Sequence, residues 1–204
     1  MAWLGGDRGG LSLDGIYYRS QNGGGWYMEV RSMSATSTLL TRGPAFILGD
    51  DVNTDINCSN KYLPGKDIAY VAAHAFDALA PTIASDIAAA GGGILVAGDH
   101  FGINSSREQA VHVMRAMNVR AIVACSFGRQ FFRNAINNGM PLFECDTSQI
   151  ESGQLLEIDF SLGVLKVNGQ IAQSSVPLPN EILAILSMGG LIPFLQKYPD
   201  WNFA

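Results

Sequence analysis

The chain has 204 residues, 48% of them apolar and 15% charged, which suits a domain with a sizeable core and excludes global disorder. Its formal net charge is −5 and no Lys/Arg cluster is dense enough for a phosphate footprint, so no nucleic-acid partner is expected. The longest apolar stretch, 182–195, is interrupted by Ser187, Gly189 and Gly190 and is too short to span a bilayer, and the first 25 residues lack the continuous apolar core of a secretory signal; the expectation is a soluble, cytoplasmic protein without a membrane partner.

Residues 1–43 are rich in Gly, Ser and Arg and show no sustained helical or strand period. Gly5, Gly6, Gly9, Gly10 and Gly23 to Gly25 make ordering entropically costly, so this segment is expected to be a poorly ordered N-terminal extension, with Met28 or Met33 as alternative starts. The organised domain is expected over 44–204. It opens with a strand over Pro44 to Leu48, which ends in the turn Gly49-Asp50-Asp51. From Asp67, one helical face collects Ile68, Val71, Ala72, Ala75, Phe76 and Leu79, and Pro81 bounds it. Gly91-Gly92-Gly93 leads into a buried strand, Ile94 to Ala97. A helix over Ser105 to Met117, a strand over Ala121 to Ala124, and a helix over Arg129 to Asn137 that stops at Gly139 follow.

In the tail, Leu155 to Phe160 and Val164 to Val167 alternate like strands, and Asn168-Gly169 is a two-residue hairpin signal before Gln170-Ile171-Ala172. Asn180 is placed to cap a last helix through Ile182, Leu183, Ile185 and Leu186, with a turn after it. Strands alternating with helices, then a β-rich tail, predict a layered α/β domain. The three cysteines, Cys58, Cys125 and Cys145, form no CxxC pair, and His74, His100 and His112 lack ligand spacing, so no metal site is expected and the thiols are read as buried and reduced.

The most informative segment runs from Ala97 to Ala110, where a strand ends, a glycine-containing turn follows and a helix opens. Ser105 and Glu108 have the spacing of a capping box. The same helix start suits an anion, because free N–H groups and the dipole favour negative charge there, while Arg107 offers a planar fork for a carboxylate and Ser106 another donor. Two readings stand side by side: a plain helix cap, or a carboxylate-binding helix start with a serine able to move a proton. No nucleophile elbow and no Gly-Lys-Ser/Thr phosphate loop is present.

Ser105-Ser106-Arg107-Glu108 in this setting resembles the serine–serine–arginine–glutamate motif of the aconitase superfamily. Gly49-Asp50-Asp51-Val52-Asn53-Thr54-Asp55, followed by Lys61-Tyr62-Leu63, resembles the opening motif of isopropylmalate isomerase small subunits. The segment Ala121 to Pro141, with Ser126-Phe127-Gly128-Arg129 and Phe132 to Gly139, resembles the stretch after their active-site helix. The resemblance implies a three-layer β/β/α swivelling domain and a heteromeric hydro-lyase that isomerises 2-isopropylmalate and 3-isopropylmalate by dehydration and rehydration. It implies no cofactor on this chain, with a 4Fe-4S cluster on a partner large subunit, in a heterodimer or heterotetramer, and a small hydroxy-dicarboxylate substrate.

By the same resemblance Ser105 removes the substrate proton, Ser106 and Arg107 hold a carboxylate, and the loop Leu63, Pro64, Gly65 reads the substrate's variable group. Asp55 is either an active-site support matching the family's aspartate or a local turn residue. Departures are Ile103-Asn104 where relatives carry Cys-Gly, Gln109 where His is common, and Pro64-Gly65-Lys66 without the Arg expected for a third substrate carboxylate. The alternatives are a related dehydratase of methylmalate, dimethylmalate or homoaconitate type, or a non-catalytic binding relative in which Ser105 is only a cap.

Overall fold

The computed structural model describes residues 39–58, 65–104 and 106–202, together with the backbone of three strands nearer the N-terminus. Those strands, β1 (Ser12–Leu13), β2 (Ile16–Ser20) and β3 (Trp26–Val30), form an antiparallel sheet in the order β1-β2-β3. No strand was expected in this stretch. Ile16, Tyr17, Tyr18, Trp26 and Tyr27 are β-branched or aromatic residues suited to a pleated surface, which accounts for the pairing despite the flanking glycines.

The main body, Ser37–Trp201, is a separate compact unit. Its strands are β4 (Leu40–Gly49), β5 (Gly93–Ala97), β6 (Val119–Ala124), β7 (Leu142–Glu144), β8 (Leu155–Asp159), β9 (Val164–Val167) and β10 (Gln170–Ser174). They lie in the order β10-β9-β8-β4-β5-β6-β7. Strand β4 belongs to two sheets at once. Leu40 to Pro44 pair antiparallel with β8, and Ala45 to Gly49 pair parallel with β5. Pro44, with no N–H to give a ladder, sits at the change-over. The strand starts at Leu40, four residues before the expected Pro44.

Period-two alternation on the parallel strands sends side chains into two cores. Leu95, Ala97, Ile122 and Ala124 face one core with the helices, while Ile94, Val96, Ala121 and Val123 face a second core with Leu156, Ile158, Phe160 and Leu165 of the antiparallel sheet region. The layers are therefore antiparallel sheet, parallel sheet and helices, the β/β/α arrangement that the resemblance implied. Asn168 and Gly169 turn the β9–β10 hairpin with φ of 50° and 86°, the left-handed pair that such a turn demands.

The helices are α1 (Thr54–Cys58), α2 (Ile68–Ala73), α3 (Ile83–Ala89), α4 (Gln109–Ala116), α5 (Arg129–Asn137), α6 (Asn180–Ser187) and α7 (Leu191–Lys197). Asp67 caps α2 by accepting from Tyr70 N–H at 2.8 Å. The expected run to Leu79 breaks after Ala73. Phe76 adopts φ 64°, is fully buried, and donates its N–H to the Asn57 carbonyl at 3.1 Å, so a long-range contact overrides local helical pattern.

Helix α3 was not foreseen in the alanine-rich stretch before Gly91. Asn180 is the first residue of α6 and makes no side-chain cap; Pro179 holds the cap position. Where one helix and a turn were expected over 182–195, Gly189 and Gly190 separate two helices. Cys58 is buried as expected, but Cys125 and Cys145 are half-buried, because both follow the ends of their strands, where the core opens. Among the described residues no helix is long and apolar enough to cross a membrane.

Candidate active site

The loops at the carboxyl ends of β4, β5 and β6 converge, the usual crevice of a parallel α/β sheet. Backbone bonds carry the strand pairing onward into these loops. Gly98 N–H donates to Gly49 O at 3.0 Å, Asp51 N–H to Asp99 O at 2.8 Å, and Gly102 N–H to Val52 O at 2.9 Å. On the other side Phe101 N–H donates to Ser126 O at 3.0 Å and Gly128 N–H to Phe101 O at 2.8 Å.

Side chains tie the same loops. The Asp50 carboxylate accepts from Asp99 N–H at 2.9 Å, the Ser126 hydroxyl accepts from His100 N–H at 2.9 Å and donates to Asp99 at 3.2 Å, and His100 Nδ1 lies 3.0 Å from Asp51 Oδ1. Gly102 has φ 81°, and a Cβ there would stand 2.3 Å from Phe131 Cγ, so only glycine fits between the loop and α5. Asn104, which replaces a glycine of the resembled motif, has φ 59°, a conformation Asn tolerates better than most residues. That substitution is accommodated.

Asp55 sits in α1. The helix is capped by Asn53, whose Oδ1 accepts from Asp55 N–H at 3.0 Å and Ile56 N–H at 3.3 Å. The Asp55 carboxylate turns toward the segment before α4, and its Oδ1 lies 3.9 Å from Arg107 Nε, with side-chain exposures of 19% and 42%. Beside it, Thr54 Oγ1 and Asn57 Oδ1 are buried without a hydrogen-bond partner among the described residues.

Ser106 and Arg107 are exposed, in a non-helical lead-in; regular helix starts at Gln109, not at Ser105. The expected capping box depends on Ser105, which lies outside the described residues; the Glu108 carboxylate accepts from the Asn138 side chain at 3.3 Å. Asn134 donates to the Ser106 carbonyl at 2.9 Å. Asn53, Ser126, Asn134 and Asn138 were not singled out from sequence. Their only signal was the recurrence of Asn and Ser inside the blocks that carried the resemblance.

Of the loop 63–65, Gly65 is exposed with φ 94°. Ser105, Leu63 and Pro64 lie outside the described residues. Next to Gly65, Lys66 holds its ammonium 4.5 Å from the Tyr70 ring and lines a cavity of about 210 Å³ with Cys58, Ile68, Val71, Gln109 and His112. Burial pushes the Cys58 thiol well above its ordinary range, which keeps this wall neutral.

Fold and site together define a domain of the aconitase C-terminal class, and the family model described as "Aconitase C-terminal domain" matches residues 65–145. The chain is 40% identical over 158 residues to the 3-isopropylmalate dehydratase small subunit 1 of Archaeoglobus fulgidus, covering 76% of this chain and 96% of the relative. It is 42% identical over 151 residues to the 3-isopropylmalate dehydratase small subunit of Sulfolobus acidocaldarius, covering 73% and 92%. The crystal structure of 3-isopropylmalate dehydratase from Methanocaldococcus jannaschii superposes with a TM-score of 0.67 at 32% identity, over 79% of this chain and 96% of that one. The chain belongs to the 3-isopropylmalate dehydratase small-subunit family.

Proposed function

We propose that this chain is the small subunit of a cytoplasmic, heteromeric hydro-lyase that interconverts 2-isopropylmalate and 3-isopropylmalate by removing and re-adding water. The observation that carries the reading is the approach of Arg107 to Asp55 at the mouth of the converging loops, in a chain of this family. Arg107 is partly exposed and carries the planar fork that suits a carboxylate, with Asp55 beside it. Ser106 adds a hydroxyl on the same lead-in.

In this reading Ser105 takes the proton next to a substrate carboxylate. Ser106 and Arg107 hold that carboxylate and offset the negative charge that builds up as the proton leaves. Leu63, Pro64 and Gly65 border the substrate's alkyl group. The chemistry also needs a Lewis acid at the departing hydroxyl, which a 4Fe-4S cluster supplies when bound.

Among the described residues the side chains do not fit that cluster. Cys58 is sealed in the core, and the described residues contain no cluster of three or more His, Cys, Asp or Glu side chains able to ligate a metal. The reading therefore assigns the cluster to a large subunit that completes the site.

The test is anaerobic co-expression with the cluster-bearing subunit from the same genome, assayed with isopropylmalate, citraconate, dimethylmaleate and homoaconitate. Turnover of isopropylmalate only when both chains are present is expected. Full turnover by this chain alone would sink the two-subunit reading, and assembly without turnover of any of the four would favour a binding relative. Ser105→Ala in the assembled enzyme separates base from cap: a base costs several kcal/mol of transition-state stabilisation, a cap only about 1 kcal/mol of stability.

A further inference from the structure

Cys125 and Cys145 follow directly on β6 and β7, whose parallel register pairs Val123 with Phe143 and Ala124 with Glu144. The next pair in that register is the two cysteines. The ladder reaches them, since Cys145 N–H donates to the Ala124 carbonyl at 3.0 Å. Alternation puts both thiols on one face, because Val123 and Phe143, each two residues earlier, share the core between the sheets, and Cys145 packs against that core. Neighbouring strands stand about 4.8 Å apart, inside the span of about 4.4–6.8 Å between α-carbons that a disulfide bridges. The Cys125 sulfur lies 3.3 Å from the Thr147 hydroxyl, which itself donates to Ala97 O at 2.9 Å, so the first thiol is held in place.

We propose that Cys125 and Cys145 form a reversible disulfide site whose oxidant is a low-molecular-weight disulfide. The Cys125 thiolate attacks one sulfur of the oxidant; that S–S bond breaks, and the first thiolate leaves and takes up a proton. Cys145 then gives up its proton and attacks Cys125 Sγ in the mixed disulfide, expelling the second thiolate, which is protonated in turn. Two electrons pass to the oxidant, and the balance is two protein thiols plus one small disulfide giving one protein disulfide plus two small thiols.

Burial, then the neighbouring Cys125 and Asp146 charges, push the Cys145 thiol up to about 12, so closure is the slow step and quickens with pH. The bond would draw together the ends of β6 and β7 beside Ser126, whose hydroxyl holds Asp99 and His100 at the loop mouth. The site is independent of the hydro-lyase reading and is tested without an activity assay.

The test incubates the full-length folded chain with oxidised glutathione at about pH 8.5, near the pKa of a free thiol, then quenches with acid and maps tryptic peptides without reductant. Loss of two hydrogens from the intact mass is expected, with peptide 121–129 linked to peptide 134–166 and the link removed by a reductant. Cys145→Ala should stop at a stable glutathione adduct on Cys125, while Cys58→Ala should leave the link unchanged. An unmodified mass, an adduct on wild-type Cys125 that never closes, or a link to Cys58 would each overturn the proposal.

Discussion

Asn134 donates from its side-chain amide to the carbonyl of Ser106 at 2.9 Å, and Asn138, the residue that follows α5, reaches the Glu108 carboxylate at 3.3 Å. These i, i+4 neighbours grip the lead-in to α4, which bears the carboxylate-binding side chains of the proposed reaction. The gripped residues precede the regular helix, which starts at Gln109. Replacing Asn134 with Ala should cost about 1 kcal/mol of stability, the net worth of one hydrogen bond. Turnover of the assembled enzyme should fall by more than that stability loss explains. Asn134→Asp should not restore it, because a carboxylate cannot donate to a carbonyl. Thermal melts and steady-state kinetics of both variants check this, and unchanged turnover in both would show that Ser106 and Arg107 are positioned by other contacts.

Two of the left-handed positions in the loop, Gly102 and Asn104, should respond differently. Gly102→Ala places a methyl 2.3 Å from the Phe131 ring at φ 81°, a clash and a strained backbone together. A loss of about 2–4 kcal/mol in denaturant unfolding is expected. Asn104→Gly changes a residue whose φ of 59° both Asn and Gly adopt, and should change stability by less than about 1 kcal/mol. Equal losses at the two sites would mean that the loop yields to Phe131.

Arg107→Lys keeps the charge but removes the planar fork. The 3.9 Å approach to Asp55 involves a half-exposed Arg107, so its loss should hardly move the melting temperature. If the fork holds the substrate carboxylate, kcat/KM of the assembled enzyme should fall about 10- to 100-fold, matching a charge-assisted hydrogen bond of about 1.5–3 kcal/mol. An unchanged kcat/KM would remove Arg107 from substrate binding.

Local signals in the sequence specified what short-range physics decides. Gly139, at φ 71°, ends α5 where the left-handed cap was expected, Asn168-Gly169 makes the hairpin, and Asp67 caps α2. What escaped depends on partners distant in the chain. Nothing near Phe76 announces that its N–H will bond Asn57, nor does anything near Glu108 announce Asn138. The site shows the same division. Asp55 and Arg107 were legible as members of motifs and are brought within 3.9 Å, whereas Asn53, Ser126 and Asn134 act on backbone groups and became visible only with the fold.

Cys58 gives stability a pH dependence whose sign follows from its burial. Its thiol is fully enclosed, and desolvation raises its pKa in the folded state above the ordinary 9.0. In the unfolded chain the thiol ionises near that ordinary value. Below about pH 9 both states hold the proton, and the stabilisation is fully present. Above it the unfolded state sheds a proton that the folded state keeps, so stability falls by up to about 1.4 kcal/mol per pH unit from this one group. Cys58→Ala removes the slope while costing some packing. Denaturant midpoints from about pH 8 to 10.5 should therefore show wild type ahead at the lower end and the two proteins converging as pH rises. Other titrating groups, Cys145 among them, are common to both proteins and cancel in the difference. Parallel curves across that range would mean that Cys58 ionises in the folded protein as readily as in the unfolded chain, and that the wall it forms beside Lys66 and Gln109 is open to water.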